Sequence, residues 1–294
     1  MIKNKDIIFI INPNSGNRKA ENRVKELLSI DANLDYVITE NTDALANFFN
    51  NSAHKYKLFI AVGGDGTVNE VIKYLAGQAE KILAVIPAGS GNGFSRELGF
   101  KKSVTSLLKD AYLGNTSEID VLQINGENCI NVSGLGLDSQ VAHQFQFSEK
   151  RGFASYIGET LKSLRLFKPF SAKLIVNGET IEDEFQLISI ANTRQFGNNA
   201  IIAPNAKPND GHFVVCAIKP MPQFLYPIVL TQLFSGKLKQ SKYIHYYKTK
   251  TPVTIQSDFK KYHVDGEPKT FENQLEIKLS EQKITVLKTS YSNH

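Results

Sequence analysis

Residues 63–67, Gly-Gly-Asp-Gly-Thr, combine a backbone suited to phosphate with one carboxylate that is not. They follow an apolar run of strand type, residues 58–62, and precede apolar side chains at helical spacing in residues 67–75. A strand that turns through glycines into a helix presents free N–H groups and the positive end of the helix dipole, which bind anions. A side chain at the turn would hold the phosphate away from the backbone. Asp65 is not explained by anion binding; beside phosphates, a carboxylate indicates Mg²⁺ or a role in orienting or deprotonating a hydroxyl.

Two further turns are rich in Gly, Ser and Asn. Asn-Pro-Asn-Ser-Gly at residues 12–16 follows the apolar run 7–11, and Gly-Ser-Gly-Asn at residues 89–92 follows the apolar run 82–86. Taken singly, each is typical of a structural turn. Because the carboxyl ends of parallel strands meet at one edge of a sheet, the three turns together predict a nucleotide cleft. The residues near the first turn that could meet phosphate oxygens are Ser15, Gly16, Arg18 and Lys19.

The first third of the chain alternates strand-length apolar runs with helical patterns. Strands are predicted at residues 7–11, 34–39, 58–62 and 82–86. Helices are predicted at residues 20–28, 43–50, 67–75 and 104–113, the second of them capped by Asp43. Alternation of this kind predicts a mostly parallel sheet with its ligand at the carboxyl ends of the strands.

From about residue 120 the pattern changes to short apolar runs separated by turn residues. Strands are predicted at residues 121–124, 129–132, 172–176, 184–191, 213–217, 253–256, 275–279 and 284–287. Three dipeptides in this half, Asn125-Gly126, Asn177-Gly178 and Asp265-Gly266, are strong hairpin signals. An antiparallel β-domain is therefore predicted, with helical insertions at residues 155–167 and 222–234.

Composition and charge narrow the class of protein. The 294 residues, 41% hydrophobic and 21% charged, predict one large or two modest globular domains. The net charge of +5 does not argue for nucleic acid and fits anionic ligands or an anionic membrane surface. Two cysteines give no disulfide framework and favour a reducing cytoplasm. The apolar stretch at residues 224–234 falls short of the ~20 residues that span a bilayer, so a soluble or peripheral cytoplasmic protein is expected.

Seven short segments, taken in order, carry a family resemblance. They are residues 12–16, 63–71, 87–92, 131–138 (Asn-Val-Ser-Gly-Leu-Gly-Leu-Asp), 203–206 (Ala-Pro-Asn-Ala), 209–211 (Asn-Asp-Gly) and 264–267 (Val-Asp-Gly-Glu). With these segments the chain resembles the diacylglycerol kinase catalytic-domain family, which includes sphingosine and ceramide kinases and soluble bacterial lipid kinases. Gly-Gly-Asp-Gly-Thr is shared with NAD kinases, whereas the ordered set is specific and covers nearly the whole chain.

The resemblance implies an α/β plus β fold. A Rossmann-like N-terminal domain with a mostly parallel sheet would occupy residues 1–119, and a C-terminal antiparallel β-sandwich-like domain residues 120–280, with the cleft between them. The last strands, about residues 281–294, would return to the first domain. The implied reaction transfers the γ-phosphoryl group of ATP, assisted by Mg²⁺, to the hydroxyl of a membrane lipid such as diacylglycerol or a sphingoid or ceramide-like lipid. Peripheral contact with an anionic membrane surface is implied, no nucleic acid partner is expected, and a homodimer is left open.

The resemblance also implies which residues would act. ATP would contact Asn12, Ser15, Gly16, Thr39, Gly63, Gly64, Asp65, Gly66, Thr67, Asn69, Glu70, Ser90, Gly91 and Asn92. Asp265 would be the base toward the lipid hydroxyl, with Glu267 and Asp65 in its polar network. A carboxylate suits that task, because phosphoryl transfer depends mainly on positioning and charge stabilisation.

A structural Mg²⁺ is implied on the loop of residues 207–212. Its ligands would be the Asp210 carboxylate and the main-chain carbonyls of Lys207 and His212. On pattern alone this loop is an ordinary turn, and a single carboxylate is a weak signal for a metal.

Several points stay open at this stage. Gly93 stands where many bacterial diacylglycerol kinases of this type have aspartate, and Gly-Ser-Gly-Asn is closer to the sphingosine-kinase version, so the lipid is not determined. Two other functions remain: a NAD kinase-like enzyme with a soluble acceptor, and a non-catalytic nucleotide- or lipid-binding regulator on the same fold.

Three further side-chain assignments follow from the pattern. His263 is expected to face solvent on a strand, and Asp138 to be structural. Residues 152–170, together with Lys237, Lys239 and Lys242, are interpreted either as a membrane contact or as an amphipathic helix covering the β-domain.

Overall fold

Strands buried on both faces organise the first part of the structure, a computed structural model that describes residues 2–15, 20–146 and 166–291. In strands β1 (Ile7–Ile11), β3 (Leu58–Gly63) and β4 (Ile82–Pro87) almost every residue is buried. Such runs are typical of parallel sheets covered by helices. With β2 (Asp35–Ile38), the strands lie in the order β2-β1-β3-β4, and all neighbours are parallel.

The helices of this part follow the strands in sequence. They are α1 (Ala20–Ile30), α2 (Thr42–Asn51), α3 (Asp65–Leu75), α4 (Gly93–Glu97) and α5 (Val104–Leu113). The predicted cap of α2 was wrong by two residues: the side chain of Asn41 accepts the N–H of Ala44 at 2.8 Å, and Asp43 lies in the first turn. An Asn side chain reaches that N–H from a position with extended backbone, which Asp43, already helical, does not have.

The chain forms two compact units, Met1–Ile119 with Glu281–His294, and Asp120–Ser280. The strand β16 (Gln274–Leu287) belongs to both. In the first unit, Thr285 and Val286 pair in parallel with β4. In the second, the start of the same strand pairs antiparallel with β13 (Val253–Ser257). The prediction of two separate strands at residues 275–279 and 284–287 was wrong, because the exposed polar residues between them continue the strand without a turn.

The second unit is built from antiparallel strands. Besides β13 these are β5 (Thr116–Ile124), whose first four residues belong to the first unit, β6 (Glu127–Cys129), β7 (Val132–Gly136), β8 (Phe170–Val176), β9 (Glu179–Phe185), β10 (Leu187–Ala191), β11 (Phe213–Ile218), β12 (Ile244–Thr249), β14 (Lys261–Val264) and β15 (Glu267–Thr270). One sheet has the order β12-β11-β10-β7-β14-β15, and β16, β13, β8 and β9 are neighbours in another. Both sheets contribute to one buried core that includes Leu135, Val215, Leu174 and Ile255. The predicted fold class, a mostly parallel sheet followed by an antiparallel β-sandwich-like domain, is confirmed.

The three predicted hairpins are present. Asn125-Gly126 joins β5 to β6, Asn177-Gly178 joins β8 to β9, and Asp265-Gly266 joins β14 to β15. All six residues have positive φ, between 48° and 88°. Positive φ at both central residues is the geometry of type I′ turns, which match the twist of the paired strands.

Two helices, α6 (Leu137–Gln146) and α7 (Tyr226–Ser235), belong to the second unit. The helix predicted at residues 222–234 begins later, because residues 223–225 form a 3-10 turn. The helix predicted at residues 155–167 lies almost entirely outside the described residues. Within those residues, no helix combines the length and apolar character needed to cross a membrane.

Candidate active site

Three turns lie at the carboxyl edge of the parallel sheet in the first unit. β3 is the central strand of the three and has β1 on one side and β4 on the other. The turns after β1 and β4 therefore flank the glycine turn that begins α3. Chain order reverses between β1 and β3, because β2 lies on one side and β4 on the other; crevices at such points are where ligands bind in α/β sheets.

The glycines of two turns are in backbone contact. A Cβ added to Gly89 would lie 2.6 Å from the Cα of Gly64, and one added to Gly64 would lie 3.1 Å from the Cα of Gly89. A Cβ on Gly63 would overlap the side chain of Thr67. Gly64 and Gly89 are thus required for the turns after β3 and β4 to touch, and Gly63 leaves room for Thr67.

The side chain of Thr67 joins the β3 turn to the β1 turn. Its Oγ1 accepts a hydrogen bond from Asn12 Nδ2 at 3.0 Å and lies 3.3 Å from the hydroxyl of Ser15. Asn12 Oδ1 also accepts the N–H of Asn14 at 2.8 Å, which closes the β1 turn. Asn12, Ser15 and Thr67 are therefore brought together as predicted by sheet position, while Gly16, with Arg18 and Lys19, lies outside the described residues.

Asp65 fastens the β3 turn to the β4 turn. Its Oδ1 accepts the N–H of Phe94 at 3.4 Å, at the start of α4. Burial raises the pKa of the Asp65 carboxyl, and backbone N–H groups of Gly93, Phe94 and Asn92 oppose that rise. The geometry gives this carboxylate a local partner that the sequence did not reveal, the first turn of a five-residue helix.

Asn92 shapes the β4 turn from a left-handed backbone conformation with φ of 52°. Its Oδ1 accepts the N–H of Gly89 at 2.9 Å, and its Nδ2 donates to the carbonyl of the same residue at 2.7 Å. The turn tips are open: Gly66 and Ser90 are exposed. Of the other residues predicted to contact ATP, Gly91 lies in this turn, Asn69 and Glu70 are half-buried on α3, and Thr39 is buried after β2.

In the second unit, Asp265 occupies the first position of the β14–β15 turn and is 8% exposed. Its carboxylate accepts the N–H groups of Ile130 and Asn131 at 3.0 and 2.9 Å. The thiol of Cys129 donates to it at 3.1 Å. Such bonds favour the ionised carboxylate.

The Cys129 thiol stays protonated in this setting. Burial, followed by the charge of Asp265, raises the pKa of Cys129 well above the usual thiol range. A protonated thiol is a donor, which is what a carboxylate requires of its neighbour. Cys129 was not predicted to be part of the site. The one signal in the sequence was its position just before the Asn-Val-Ser-Gly segment.

The other thiol gives a stability prediction. Burial raises the pKa of Cys216 to about 12. The unfolded thiol ionises near 9.0, so the unfolded state loses its proton first and stability should fall as pH rises from about 9 to about 12. We expect urea unfolding of Cys216→Ala to show a pH slope in this window about 1.4 kcal/mol per pH unit shallower than that of the wild type. Equal slopes in the two proteins would contradict the buried, protonated thiol.

His263 is buried, so the prediction that it faces solvent was wrong. β14 lies between β7 and β15, and α6 covers it: the hydroxyl of Ser139 donates to the carbonyl of Lys261 at 2.9 Å. The N–H of Gly266 donates to His263 Nδ1 at 3.1 Å, so the ring proton is on Nε2, which lies 3.1 Å from Asp138 Oδ2.

The carboxylate of Asp138 completes this pair. Its Oδ1 accepts the N–H of Ser139 at 2.7 Å, and the hydroxyl of Ser189 donates to Oδ2 at 3.4 Å. Asp138 therefore fixes His263, and His263 fixes the Gly266 end of the turn that carries Asp265. Glu267 follows the turn at the start of β15, half-buried, paired with Val264 in the strand ladder.

In the loop predicted to hold Mg²⁺, the Asp210 carboxylate forms an ion pair with a lysine side chain. The ammonium of Lys248 lies 2.7 Å from Asp210 Oδ2, while Asp210 Oδ1 accepts the N–H of His212 at 3.1 Å. The His212 ring lies 2.8 Å from the Asp210 carbonyl oxygen. No group of three or more His, Cys, Asp or Glu side chains in the described part of the chain could hold a metal ion. In this arrangement Lys248 neutralises the Asp210 carboxylate, and the binding of Mg²⁺ by Lys207, Asp210 and His212 stays a prediction.

Metal removal tests this arrangement. We expect EDTA to leave the Tm of the nucleotide-free protein unchanged. Lys248→Met should lower the free energy of unfolding by less than about 1 kcal/mol, since the ion pair is partly exposed. Added Mg²⁺ should then raise the Tm of the variant but not of the wild type. A fall in the wild-type Tm with EDTA would show that a metal, not the lysine, holds the loop.

Comparison with known proteins agrees with this architecture. Residues 6–124 match the model of the diacylglycerol kinase catalytic domain, and residues 131–287 match the YegS C-terminal NAD kinase beta sandwich-like domain. The diacylglycerol kinase of Bacillus subtilis (strain 168) is 26% identical over 268 residues, which are 88% of this chain and 88% of that protein.

Two solved structures share the fold. A crystal structure of a diacylglycerol kinase from Bacillus anthracis str. Sterne has a TM-score of 0.72 at 22% identity and covers 99% of each chain. An NAD kinase from Archaeoglobus fulgidus in complex with ATP has a TM-score of 0.58 at 12% identity and covers 97% of this chain and 94% of its own. At these identities the likeness concerns the fold alone. The two domain matches, which follow one another along nearly the whole chain, show that this protein belongs to the diacylglycerol kinase catalytic-domain family.

Proposed function

We propose that the protein is an ATP-dependent lipid kinase that transfers the γ-phosphoryl group to the hydroxyl of a membrane lipid. Family membership supports a kinase. The glycine turns of the first unit supply the open backbone that a triphosphate needs. The nucleotide would enter as its Mg²⁺ complex, with the metal as part of the substrate, and the protein would act peripherally at an anionic membrane surface.

The observation that carries the proposal is the Asp265 carboxylate. Its oxygens accept two backbone N–H groups and a thiol, on a turn with positive φ at both central residues. A carboxylate fixed in this way can orient an alcohol and accept its proton, because the transition state of phosphoryl transfer is loose and the proton moves late.

The proposed reaction balances as a single transfer. The lipid oxygen forms a bond to the γ-phosphorus, and the bond from that phosphorus to the β–γ bridging oxygen breaks. The hydroxyl proton goes to Asp265, and ADP leaves with the bridging oxygen. Backbone N–H groups at the start of α3 would stabilise charge on the phosphates.

His263 acts as a positioning residue in this proposal. His263→Gln replaces two ring nitrogens that point in different directions by one flexible amide group, so the contacts to the Gly266 N–H and to Asp138 should weaken and the turn carrying Asp265 should loosen. We expect kcat to fall about 10-fold with an unchanged dissociation constant for ATP. The matched control is His245→Gln, at a partly exposed position of β12. A loss of ATP binding in His263→Gln, or an equal loss of kcat in the control, would contradict this role.

A direct assay tests the function. Purified protein is incubated with γ-labelled ATP and a total lipid extract, and in parallel with NAD, and the labelled product is identified by mass spectrometry. A labelled lipid supports the proposal. Label on NAD alone would favour the soluble-acceptor enzyme, to which the NAD kinase-like sandwich domain gives some support. Tight ATP binding without any labelled product would favour a non-catalytic regulator.

A further inference from the structure

We propose that the outer face of α7 and the lysines after it dock on an anionic lipid bilayer. This surface, called the α7 surface below, consists of Phe224, Ile228, Phe234, Lys237 and Lys239. The inference rests on the proposed function in one respect: a lipid acceptor places the substrate in a bilayer. It goes further by naming the part of the chain that meets that bilayer.

α7 exposes apolar side chains in addition to those that it packs against the core. None of its ten residues is charged, and none is fully buried. Tyr226, Val229 and Leu233 pack against the core cluster of β10, β11 and β12. In the 3-10 turn before α7, Phe224 is 75% exposed, and within α7 Ile228 is 53% and Phe234 37% exposed.

A surface helix normally turns polar side chains to water on the face away from the core. Single exposed apolar residues are common and need no explanation. Here Phe224, Pro227, Ile228 and Phe234 are all exposed within one short segment, in which Thr231 and Ser235 are the exposed polar residues of α7. Grouped exposure of this kind marks an interaction surface.

The charge of the residues around α7 indicates which kind of partner the α7 surface binds. Residues 211–257 contain no Asp or Glu, yet they contain six lysines. Lys237 and Lys239 are exposed on either side of the buried Leu238, and the backbone N–H of Lys237 donates to the carbonyl of Gln232 at 2.9 Å, directly at the end of α7. Apolar side chains bordered by lysines, without acidic residues in the same stretch, match the acyl boundary and acidic headgroups of an anionic bilayer.

A second copy of the chain fits this surface less well. A twofold dimer places the same patch against itself, so the lysines of one copy would face those of the other without acidic partners from residues 211–257. A bilayer meets the apolar and the cationic parts at once and needs no such compensation.

The α7 surface is preformed. The N–H of Ile201 donates to the Leu233 carbonyl at 3.0 Å, and the Tyr246 hydroxyl donates to the Leu238 carbonyl at 3.3 Å. Gly236 ends the helix in the left-handed conformation, so that the chain turns directly into the lysine segment. Docking therefore requires no refolding of the segment, which keeps its entropic cost low.

Vesicle partitioning tests the proposal with the full chain. Flotation is measured with phosphatidylcholine vesicles, with and without about 30% phosphatidylglycerol. We expect binding to the anionic vesicles that weakens in high salt. The double variants Phe224→Ser/Ile228→Ser and Lys237→Gln/Lys239→Gln should each lower the partition coefficient by about 10-fold or more.

The matched control variants carry the same kinds of substitution at exposed positions outside the α7 surface. Leu113→Ser removes an apolar side chain that is 71% exposed in the first unit. Lys55→Gln/Lys57→Gln removes two exposed lysines with the same spacing. Both controls should partition like the wild type, and circular dichroism should show that all four variants keep the fold.

The outcomes separate docking from catalysis. Unchanged partitioning of both α7 variants would overturn the docking proposal, as would a change in molar mass by light scattering without a change in partitioning, which would identify a contact between copies. Activity is then measured on lipid dispersed in detergent micelles, where α7 variants should match the wild type. Loss of vesicle binding in the variants, combined with no lipid phosphorylation by the wild type, would uphold docking and reject the proposed kinase function.

Discussion

Asp265→Asn is expected to lower kcat for lipid phosphorylation by about 10³-fold, within the range found for loss of a general base. Asn tolerates the positive φ of 50° at this position, so the β14–β15 turn should survive. The amide, however, can place only one acceptor oxygen where the carboxylate places two against Ile130, Asn131 and the Cys129 thiol. The variant therefore loses both the negative charge and one set of contacts.

Two measurements make this result specific. The dissociation constant for ATP should stay within about twofold of the wild type, because Asp265 is proposed to act on the lipid hydroxyl and is not among the residues expected to contact ATP. Asp258→Asn, at an exposed position of the second unit, is the matched control and should keep full activity. Substantial lipid phosphorylation by Asp265→Asn would exclude Asp265 as the base.

Gly89→Ala is expected to weaken ATP binding by at least about 10-fold, or ~1.4 kcal/mol. Its Cβ would lie 2.6 Å from the Cα of Gly64, and backbone at that distance cannot yield as a flexible side chain can. The β3 and β4 turns would have to separate, which also releases the Asp65 carboxylate from the start of α4. Overpacking of this kind should further cost about 1–3 kcal/mol of stability.

The reverse substitution at the same contact gives a graded control. In Gly64→Ala the new Cβ would meet the Gly89 Cα at 3.1 Å, so a shift of a few tenths of an ångström relieves it. ATP affinity, measured by calorimetry, should fall in the order wild type, Gly64→Ala, Gly89→Ala. Ser90→Ala, at the exposed tip of the same turn, changes no backbone contact and should lose far less. Equal affinity of Gly89→Ala and the wild type would remove the glycine contact from the ATP site.

Features set by neighbours in sequence were predictable. The buried runs of β1, β3 and β4 indicated a parallel sheet, and Asn-Gly and Asp-Gly marked three turns whose backbone demands positive φ. The glycine turns were also placed correctly at one sheet edge. In each case the signal lies in the local backbone or in the period of hydrophobicity, and both are written in a few consecutive residues.

Features set by distant partners were not predictable. His263 was expected to face solvent, because no residue of its own strand indicates that it contacts Asp138 on α6. Asp65 was interpreted through phosphate chemistry, whereas its contact with α4 depends on a turn elsewhere in the chain. The sequence also gave no sign that Lys248, on β12, would lie 2.7 Å from the Asp210 carboxylate. Contacts between charged residues that are far apart in the sequence produce no local or periodic pattern from which they could be predicted.

The long strand β16 has a consequence for the order of folding during synthesis. The first unit needs residues after 280 to cover β4, whereas the second unit is complete once residue 280 has been made. Domains usually fold in the order in which the ribosome releases them. Here the first unit cannot complete its sheet when residues 1–119 have been made. The edge of β4 stays unpaired until the end of β16 emerges. The unit that starts first is finished last, and the exposed edge of β4 is the point at which a nascent chain would be most open to misassembly.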